Sequence, residues 1–161
     1  NDERLIELFI RAGFERADPA TFASISKLAE AAVRNASYAN APIASSFWNT
    51  MPHDFGFEKM TEKNTVRERH NVRMWKTSII TDDGKRAYVG IANFDARIKW
   101  WITPAIRPDI ATEREYVFSS IMNTGMVRQS AKVQFVSPVL SSNFSGDPFF
   151  TDVNVYIITI D

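Results

Sequence analysis

The residues best suited to chemistry lie together in one short segment, Arg67-Glu68-Arg69-His70-Asn71-Val72-Arg73-Met74-Trp75. The segment reads as a β-strand, so its side chains alternate between two faces. Arg69, Arg73 and Trp75 therefore share one face. Guanidinium groups beside an aromatic ring bind anions well, because they donate paired hydrogen bonds in a fixed geometry. We expect these three residues to form a binding face for an anionic small molecule or a partner.

His70 lies on the opposite face of the same strand, and a hairpin turn determines which residues it meets. Asp83-Gly84 is the strongest turn signal in the chain. A two-residue turn there places Val72 opposite Asp95, which makes His70 and Asp95 diagonal neighbours. A carboxylate beside a histidine can orient the ring as a general base, so this pair is the candidate catalytic pair. A purely structural His–Asp pair is the commoner arrangement, and a three-residue turn would change the register.

Several classes of site are excluded by residues that the sequence lacks. The chain has no cysteine, which excludes disulfides, thiolate catalysis and cysteine-bound metals. Its two histidines, His53 and His70, have no zinc-ligand spacing, and no nucleotide-binding loop or nucleophile elbow is present. We therefore expect no metal and no cofactor. The 19 basic and 19 acidic residues leave no net charge, which argues against nucleic-acid binding.

The elements that must position these residues indicate a single domain over residues 1–161. We predict an α+β fold, with a mainly antiparallel sheet of about five strands packed against three helices. Helix starts are expected at Asn1 or Asp2, at Asp18-Pro19 and at Pro108-Asp109. Strands are expected at 69–81, 85–95, 132–136 and 152–160, with a loop at 141–148. The aromatic-rich stretch 41–62 is expected to hold one or two short edge strands and a packed loop.

Two segments of the chain resemble signatures of a known family. Arg69–Trp75 resembles the R-H-x-V-R-x-W motif of the LssY C-terminal domain family, and Ile106–Glu115 resembles its I-x-P-D-I-D-x-E-R-D segment. The stretches around 12–19 and 41–59 also fit this family, so the resemblance covers roughly 5–127. In the second segment the matching motif residues are Pro108, Asp109, Glu113 and Arg114.

The resemblance implies an architectural context and no reaction, because the family's activity is unknown. Its members are commonly the soluble C-terminal part of bacterial membrane proteins, joined to DedA-like or phosphatidic-acid-phosphatase-like membrane domains. A phosphatase label would then belong to the membrane domain. The chain departs from the family at Asn71, Pro104 and Ala111, where relatives often carry histidine or aspartate. These departures remove groups that would build a metal or acid–base site.

Three interpretations of function follow. The first is a non-catalytic accessory domain at the cell envelope or membrane, which binds a partner or an anionic small molecule through Arg69, Arg73 and Trp75. The membrane domain of the same parent protein is one candidate partner. The alternative is a hydrolase or phosphatase-like enzyme that uses His70 and Asp95 with an arginine clamp. The third is structural, with the arginine strand joined to the helices through Glu113 and Asp109.

Overall fold

The computed structural model describes residues 1–43, 45–99, 103–135, 137–142, 146–152 and 154–161. Its helices are α1 (Asp2–Arg11), α2 (Phe22–Arg34) and α3 (Ile110–Met122). Its strands are β1 (Glu15–Arg16), β2 (Phe47–Trp48), β3 (Met51–Pro52), β4 (Phe55–Met60), β5 (Arg69–Ile80), β6 (Arg86–Lys99), β7 (Thr103–Ile106), β8 (Val127–Gln134), β9 (Val139–Ser142), β10 (Pro148–Thr151) and β11 (Asn154–Ile160). The predicted α+β class, with three helices and a mainly antiparallel sheet, is confirmed.

The main sheet has the strand order β1-β4-β5-β6-β7, and every neighbouring pair is antiparallel. The two long strands, β5 and β6, form its centre, as the sequence predicts. β4 lies between β1 and β5, so the prediction that 41–62 contributes only edge strands is wrong. Only the short hairpin β2–β3 within that stretch stands apart from this sheet. β8 with β11, and β9 with β10, form two further antiparallel pairs.

One face of the sheet carries the main hydrophobic core. Phe57 and Val72 of the central strands pack there with residues of α1 and α3. The rings of Phe9 and Phe57 stack with centroids 4.4 Å apart. Burial of this apolar surface is the main force that holds α1 and α3 on the sheet. His70 lies on this face, at the edge of the core, because it shares the alternation of Val72.

The opposite face of the sheet is polar and is covered by the chain segment that follows α2. In this segment Tyr38 and Ala41 belong to a second apolar cluster, which also contains Val66. Ile43 approaches β4 so closely that a Cβ atom at Gly56 would lie 2.6 Å from Ile43 Cδ1. A larger residue at position 56 would push the Ile43 side chain aside, so glycine permits this close approach, and Ile43 covers the polar face here.

The hairpin between β5 and β6 has a three-residue turn, so the predicted register is wrong. Thr81 N donates to Lys85 O, and Gly84 adopts a left-handed φ of +76°. A further irregularity lies between Lys76 and Ile80. As a result Val72 faces Ala92, three residues away from the predicted Asp95. An odd offset reverses the two faces of β6, because side chains alternate along a strand.

Two of the three helix starts agree with the sequence. Asn1 caps α1, and Asp109 caps α3 by accepting a hydrogen bond from Thr112 N at 3.0 Å. α2 begins later than Asp18-Pro19 predicts, after a capping box at Thr21. Asp18 instead accepts hydrogen bonds from Tyr38 and Asn40, so a tertiary contact uses its carboxylate.

The sequence predicts two strands after α3, whereas the structure describes four, β8 to β11. β8 begins five residues before the predicted strand 132–136, and β11 covers most of 152–160. The predicted loop 141–148 includes ends of β9 and β10. Residues 136, 143–145 and 153 of these predictions lie outside the described residues.

Candidate functional site

Arg69 lies on the polar face, where its guanidinium group contacts two buried carboxyl groups. Its Nη1 donates to Glu58 Oε2 at 2.6 Å, and its Nε donates to Asp95 Oδ2 at 3.2 Å. Its Nη2 donates to Pro42 O in the covering segment at 3.4 Å. The side chains of Arg69, Glu58 and Asp95 are all buried. Since this guanidinium group is fully engaged inside the fold, it is an internal structural group.

Glu58 is the most perturbed carboxyl group of this cluster. Its side chain is fully buried, and burial raises its pKa to about 8 against the pull of Arg69. Asp95 adds to the rise because it is a second negative charge near the same guanidinium group. One arginine is therefore shared by two buried carboxyl groups, and its raised pKa keeps Glu58 mostly protonated near neutral pH.

Asn71 lies directly opposite Glu58 in the register of β4 and β5. Its side chain is fully buried, and neither Oδ1 nor Nδ2 has a hydrogen-bond partner. Glu58 Oε1 also lacks a partner. A protonated Glu58 carries a donor and Asn71 Oδ1 is an acceptor, so the two facing residues are chemically matched. Unsatisfied buried groups of this kind are costly, which makes the pair a sensitive point of the fold.

Arg73 and Trp75 continue the same face and are also buried. Arg73 Nη1 donates to Asn93 Oδ1, and burial lowers the pKa of Arg73. Trp75 Nε1 donates to Met51 O at 3.0 Å. Arg69, Arg73 and Trp75 are only 4–6% exposed. The structure thus brings the three predicted binding residues onto one face, and the expectation that they form an open binding surface is wrong.

His70 does not meet Asp95, so the predicted catalytic pair is wrong. Its Nδ1 lies 2.8 Å from Glu113 Oε1 of α3 and 3.0 Å from Oε2. The imidazole ring stacks on Tyr116 with a centroid distance of 3.8 Å and meets the ring of Phe94 at 4.8 Å. The reversed faces of β6 explain the difference, because Asp95 now lies on the arginine side.

The family-motif residues around α3 attach this helix to its neighbours. Asp109 caps the helix, and Glu113 holds His70 of β5. Arg114 Nη2 donates to Asp152 Oδ2 at 3.0 Å, and its Nη1 donates to Asn154 O at 2.7 Å. Pro108 O accepts a hydrogen bond from Phe150 N. Each of these motif residues therefore has a structural contact in the described part of the chain.

The third interpretation joined the arginine strand, β5, to the helices through Glu113 and Asp109. Of these two acids, Glu113 contacts β5, and it does so through His70, whereas Asp109 caps α3.

Sequence reasoning missed an exposed apolar surface beside Trp75. The hairpin β2–β3 contributes Trp48 and Met51, which face each other in its register and so point to the same side of the hairpin, and Met51 O accepts a hydrogen bond from the Trp75 indole. β6 contributes two more side chains, next to Trp75 and Arg73 in the register. We call these residues the Trp75 surface: Trp48, Met51, Val89 and Ile91, all exposed. Their spacing in the sequence gave no signal, because the two segments meet only through the fold.

Two features are absent from the described residues. These residues contain no group of three or more His, Cys, Asp or Glu side chains placed to hold a metal ion. Among the helices that the structure describes, none combines the length and the apolar character that a membrane span requires.

Comparison with known proteins gives one match. A family model described as LssY C-terminus matches residues 1–155 of the 161-residue chain. This agrees with the resemblance at the arginine strand and at α3, and it extends beyond the range in which the motifs are visible. No curated protein and no solved structure matches the chain.

Proposed function

The chain belongs to the LssY C-terminus family, and on that premise we propose that it is a non-catalytic accessory domain of a bacterial envelope or membrane protein that binds a protein partner. The Trp75 surface is the observation that carries the proposal. It presents large apolar side chains to solvent, with Met51 62% and Trp48 42% exposed. Apolar patches of this kind mark interaction sites in soluble domains.

The composition of the Trp75 surface fits a protein partner. Aromatic residues and methionine are enriched in the buried centres of protein interfaces, where they fill pockets of the partner. Trp48 and Met51 supply these residue types, and Val89 and Ile91 add aliphatic side chains beside them. None of the four side chains carries a charge, so their burial against a partner has no ionic desolvation cost.

The fold holds this surface in place before binding. Trp75 Nε1 donates to Met51 O, which attaches the hairpin β2–β3 to the central strand β5. His53 N donates to Ser46 O, and Asp54 N donates to Met74 O, so both ends of the hairpin are anchored. A surface fixed in this way loses little conformational entropy on binding, which favours affinity.

The face of the sheet that carries Arg69 and Arg73, which we call the arginine face, is a poorer binding site for a ligand than the Trp75 surface. Arg69 contacts Glu58 and Asp95, and the covering segment that includes Pro42 encloses it. An anion that entered here would have to displace a buried carboxylate. The Trp75 surface lies on the same side of the sheet and needs no such rearrangement. We therefore propose that the partner binds the apolar residues of the Trp75 surface, and that the buried arginines stabilise the fold beneath them.

Site-specific photo-crosslinking in the full-length parent protein tests the proposal. A photo-reactive residue at position 51 is expected to crosslink to the partner, for which the membrane domain of the same parent is the first candidate. The same residue at position 22 is the matched control, because Phe22 is 88% exposed and belongs to α2. Equal crosslinking from both positions, or none from position 51, would contradict the proposal.

A further inference from the structure

A row of neighbouring side chains crosses the sheet on the face that carries α1 and α3, near the end of β4. Lys59 of β4 lies opposite His70 of β5, and His70 lies opposite Phe94 of β6. Arg107, which follows β7, continues the row, because its N donates to Phe94 O at 2.8 Å. Its guanidinium carbon lies 4.3 Å from the centroid of the Phe94 ring. Three basic side chains are therefore aligned on one face, and we call these four residues the His70 row.

The imidazole ring of His70 is held in one orientation and keeps one nitrogen open. Glu113 contacts Nδ1 with both carboxyl oxygens, and the ring lies against Tyr116 and Phe94. Within the described residues Nε2 makes no hydrogen bond, and it is not a buried atom, since the side chain is 13% exposed. The Glu113 carboxylate keeps a proton on Nδ1 and stabilises the imidazolium form. In that form the Nε2–H group is a donor open to a ligand.

Arg107 keeps its donors open in the same way. Its side chain is exposed, and among the described residues it forms no ion pair with a carboxylate. The Phe94 ring beneath the guanidinium group has no hydrogen-bonding atom. The backbone is fixed on both sides, because Arg107 N donates to Phe94 O and Pro108 O accepts from Phe150 N. A fixed backbone and a supported guanidinium group reduce the entropy that a ligand must overcome on binding.

The charges around the His70 row favour an anion. Lys59 and Arg107 carry two positive charges, and Glu113 is the only carboxylate of the described residues that contacts the row. Asp109 is close in sequence, but its carboxylate accepts hydrogen bonds from Thr112 N and Oγ1 at the start of α3. A local excess of positive charge attracts anions, although the chain as a whole has no net charge.

The geometry favours an anion with at least three oxygens. His70 and Arg107 flank the same ring, and the imidazole centroid lies 4.8 Å from the Phe94 centroid. Two charge-assisted hydrogen bonds of about 2.8 Å, with a tetrahedral anion between them, span about 8 Å, which fits this arrangement. The fork of an arginine takes two oxygens, so a carboxylate has none left for His70. A phosphate monoester has a third.

We propose that His70 and Arg107 together bind a phosphate monoester group. Two phosphate oxygens accept from the Arg107 fork, and a third accepts from His70 Nε2. Lys59 lies on the other side of His70 and acts at longer range through its charge. The site lies on the face of the sheet opposite to the Trp75 surface. Its test is therefore independent of the proposed partner binding.

A phosphate titration followed by NMR of the histidine rings tests the site. The chain has only two histidines, so their ring nitrogen signals can be distinguished. At about pH 6, where an ordinary imidazole is largely protonated, we expect inorganic phosphate to shift the His70 signal saturably at constant ionic strength. The signal of His53 is expected to stay in place. Acetate should bind at least about tenfold more weakly, because it lacks the third oxygen. No saturable shift of His70, or equal affinity for acetate, overturns the proposal.

Substitution of an exposed arginine tests the second donor without disturbing the fold. Arg107→Gln removes the fork and is expected to raise the Kd for phosphate at least about tenfold. Arg34→Gln is the matched control, since Arg34 is an exposed arginine of α2, and it should leave the Kd unchanged. Equal effects of the two substitutions would show non-specific charge attraction and would overturn the assignment.

Two phosphate monoesters identify the source of the ligand. Glycerol phosphate represents a soluble ester, and vesicles that carry a lipid with a phosphate monoester headgroup represent a membrane. Binding of glycerol phosphate that Arg107→Gln weakens supports a soluble ligand. Binding to the vesicles alone, weakened by the same substitution, supports a lipid headgroup. Binding to neither overturns the assignment of a phosphate monoester.

Discussion

Replacing Glu58 with glutamine is expected to remove a large pH dependence of stability. The Glu58 pKa is raised from 4.5 to about 8 in the folded chain, because burial outweighs the attraction of the shared Arg69. Between these two pH values the folded chain keeps the proton while the unfolded chain releases it. The folded state therefore loses stability as pH rises through this window, and the contribution is lost above the folded pKa.

The magnitude follows from the size of the shift. One pKa unit corresponds to about 1.4 kcal/mol, so the shift of Glu58 corresponds to roughly 5 kcal/mol as an upper limit. Glutamine at position 58 cannot titrate, and its carbonyl oxygen can still accept from Arg69 Nη1. We therefore expect wild type and Glu58→Gln to have similar unfolding free energies in mild acid. Near pH 9 the variant is expected to be the more stable protein by several kcal/mol.

Urea unfolding, followed by tryptophan fluorescence at several values between about pH 5 and pH 9, measures this difference. The quantity of interest is the wild-type unfolding free energy minus that of Glu58→Gln at each pH. Glu30→Gln serves as the control, because Glu30 is an exposed residue of α2 and should show no such trend. A difference between wild type and Glu58→Gln that stays constant over the whole range would refute the reasoning.

Two further predictions concern the other buried pairs. Arg69→Met should destabilise the chain by about 3–5 kcal/mol in urea unfolding, because Asp95 loses its charged partner in the interior, whereas the exposed Arg107→Met should change stability by less than about 1 kcal/mol. Equal effects would contradict the internal role of Arg69. His70→Asn and Glu113→Gln should show a coupling energy of about 1–3 kcal/mol in a double-mutant cycle. Additive effects would show that the pair does not hold α3 to the sheet.

The elements that depend on local interactions could be predicted from the sequence. Asn1 and Asp109 were predicted as helix starts because a capping side chain contacts the backbone three residues away. β5 and β6 were predicted from their alternation and from the glycine between them. The general fold class followed from the order of these elements. In each case the deciding interaction lies within a few residues of the chain.

The register of β5 and β6 could not be predicted in the same way. Asp83-Gly84 fits both a two-residue turn and the last positions of a three-residue turn. A two-residue Asp-Gly turn needs a positive φ at both residues, whereas here Gly84 has one and Asp83 does not. The difference in register exchanges the two faces of β6, so that each of its side chains points to the side of the sheet opposite to the predicted one. It transfers Asp95 from His70 to Arg69 and so replaces the expected catalytic pair with a buried ion pair.

The partners of the candidate residues were missed because they come from distant segments. Glu58 belongs to a stretch in which the sequence predicts only short edge strands and a loop, although it forms an interior strand. Glu113 is expected to join α3 to the arginine strand, and only the placement of α3 on the sheet shows that it does so through His70. The Trp75 surface likewise combines a hairpin and a strand that no sequence pattern connects.

The most direct test of the proposed partner binding is an affinity measurement with the membrane domain that we propose for the parent protein. The purified chain would be titrated onto that domain as wild type, Met51→Ser and Arg73→Gln, at a temperature where all three are folded. We predict that Met51→Ser raises the Kd about tenfold or more, which corresponds to roughly 1.4 kcal/mol, and that Arg73→Gln leaves it within a factor of two or so. A Kd raised by Arg73→Gln and unchanged by Met51→Ser would contradict the account and return the binding role to the arginine face.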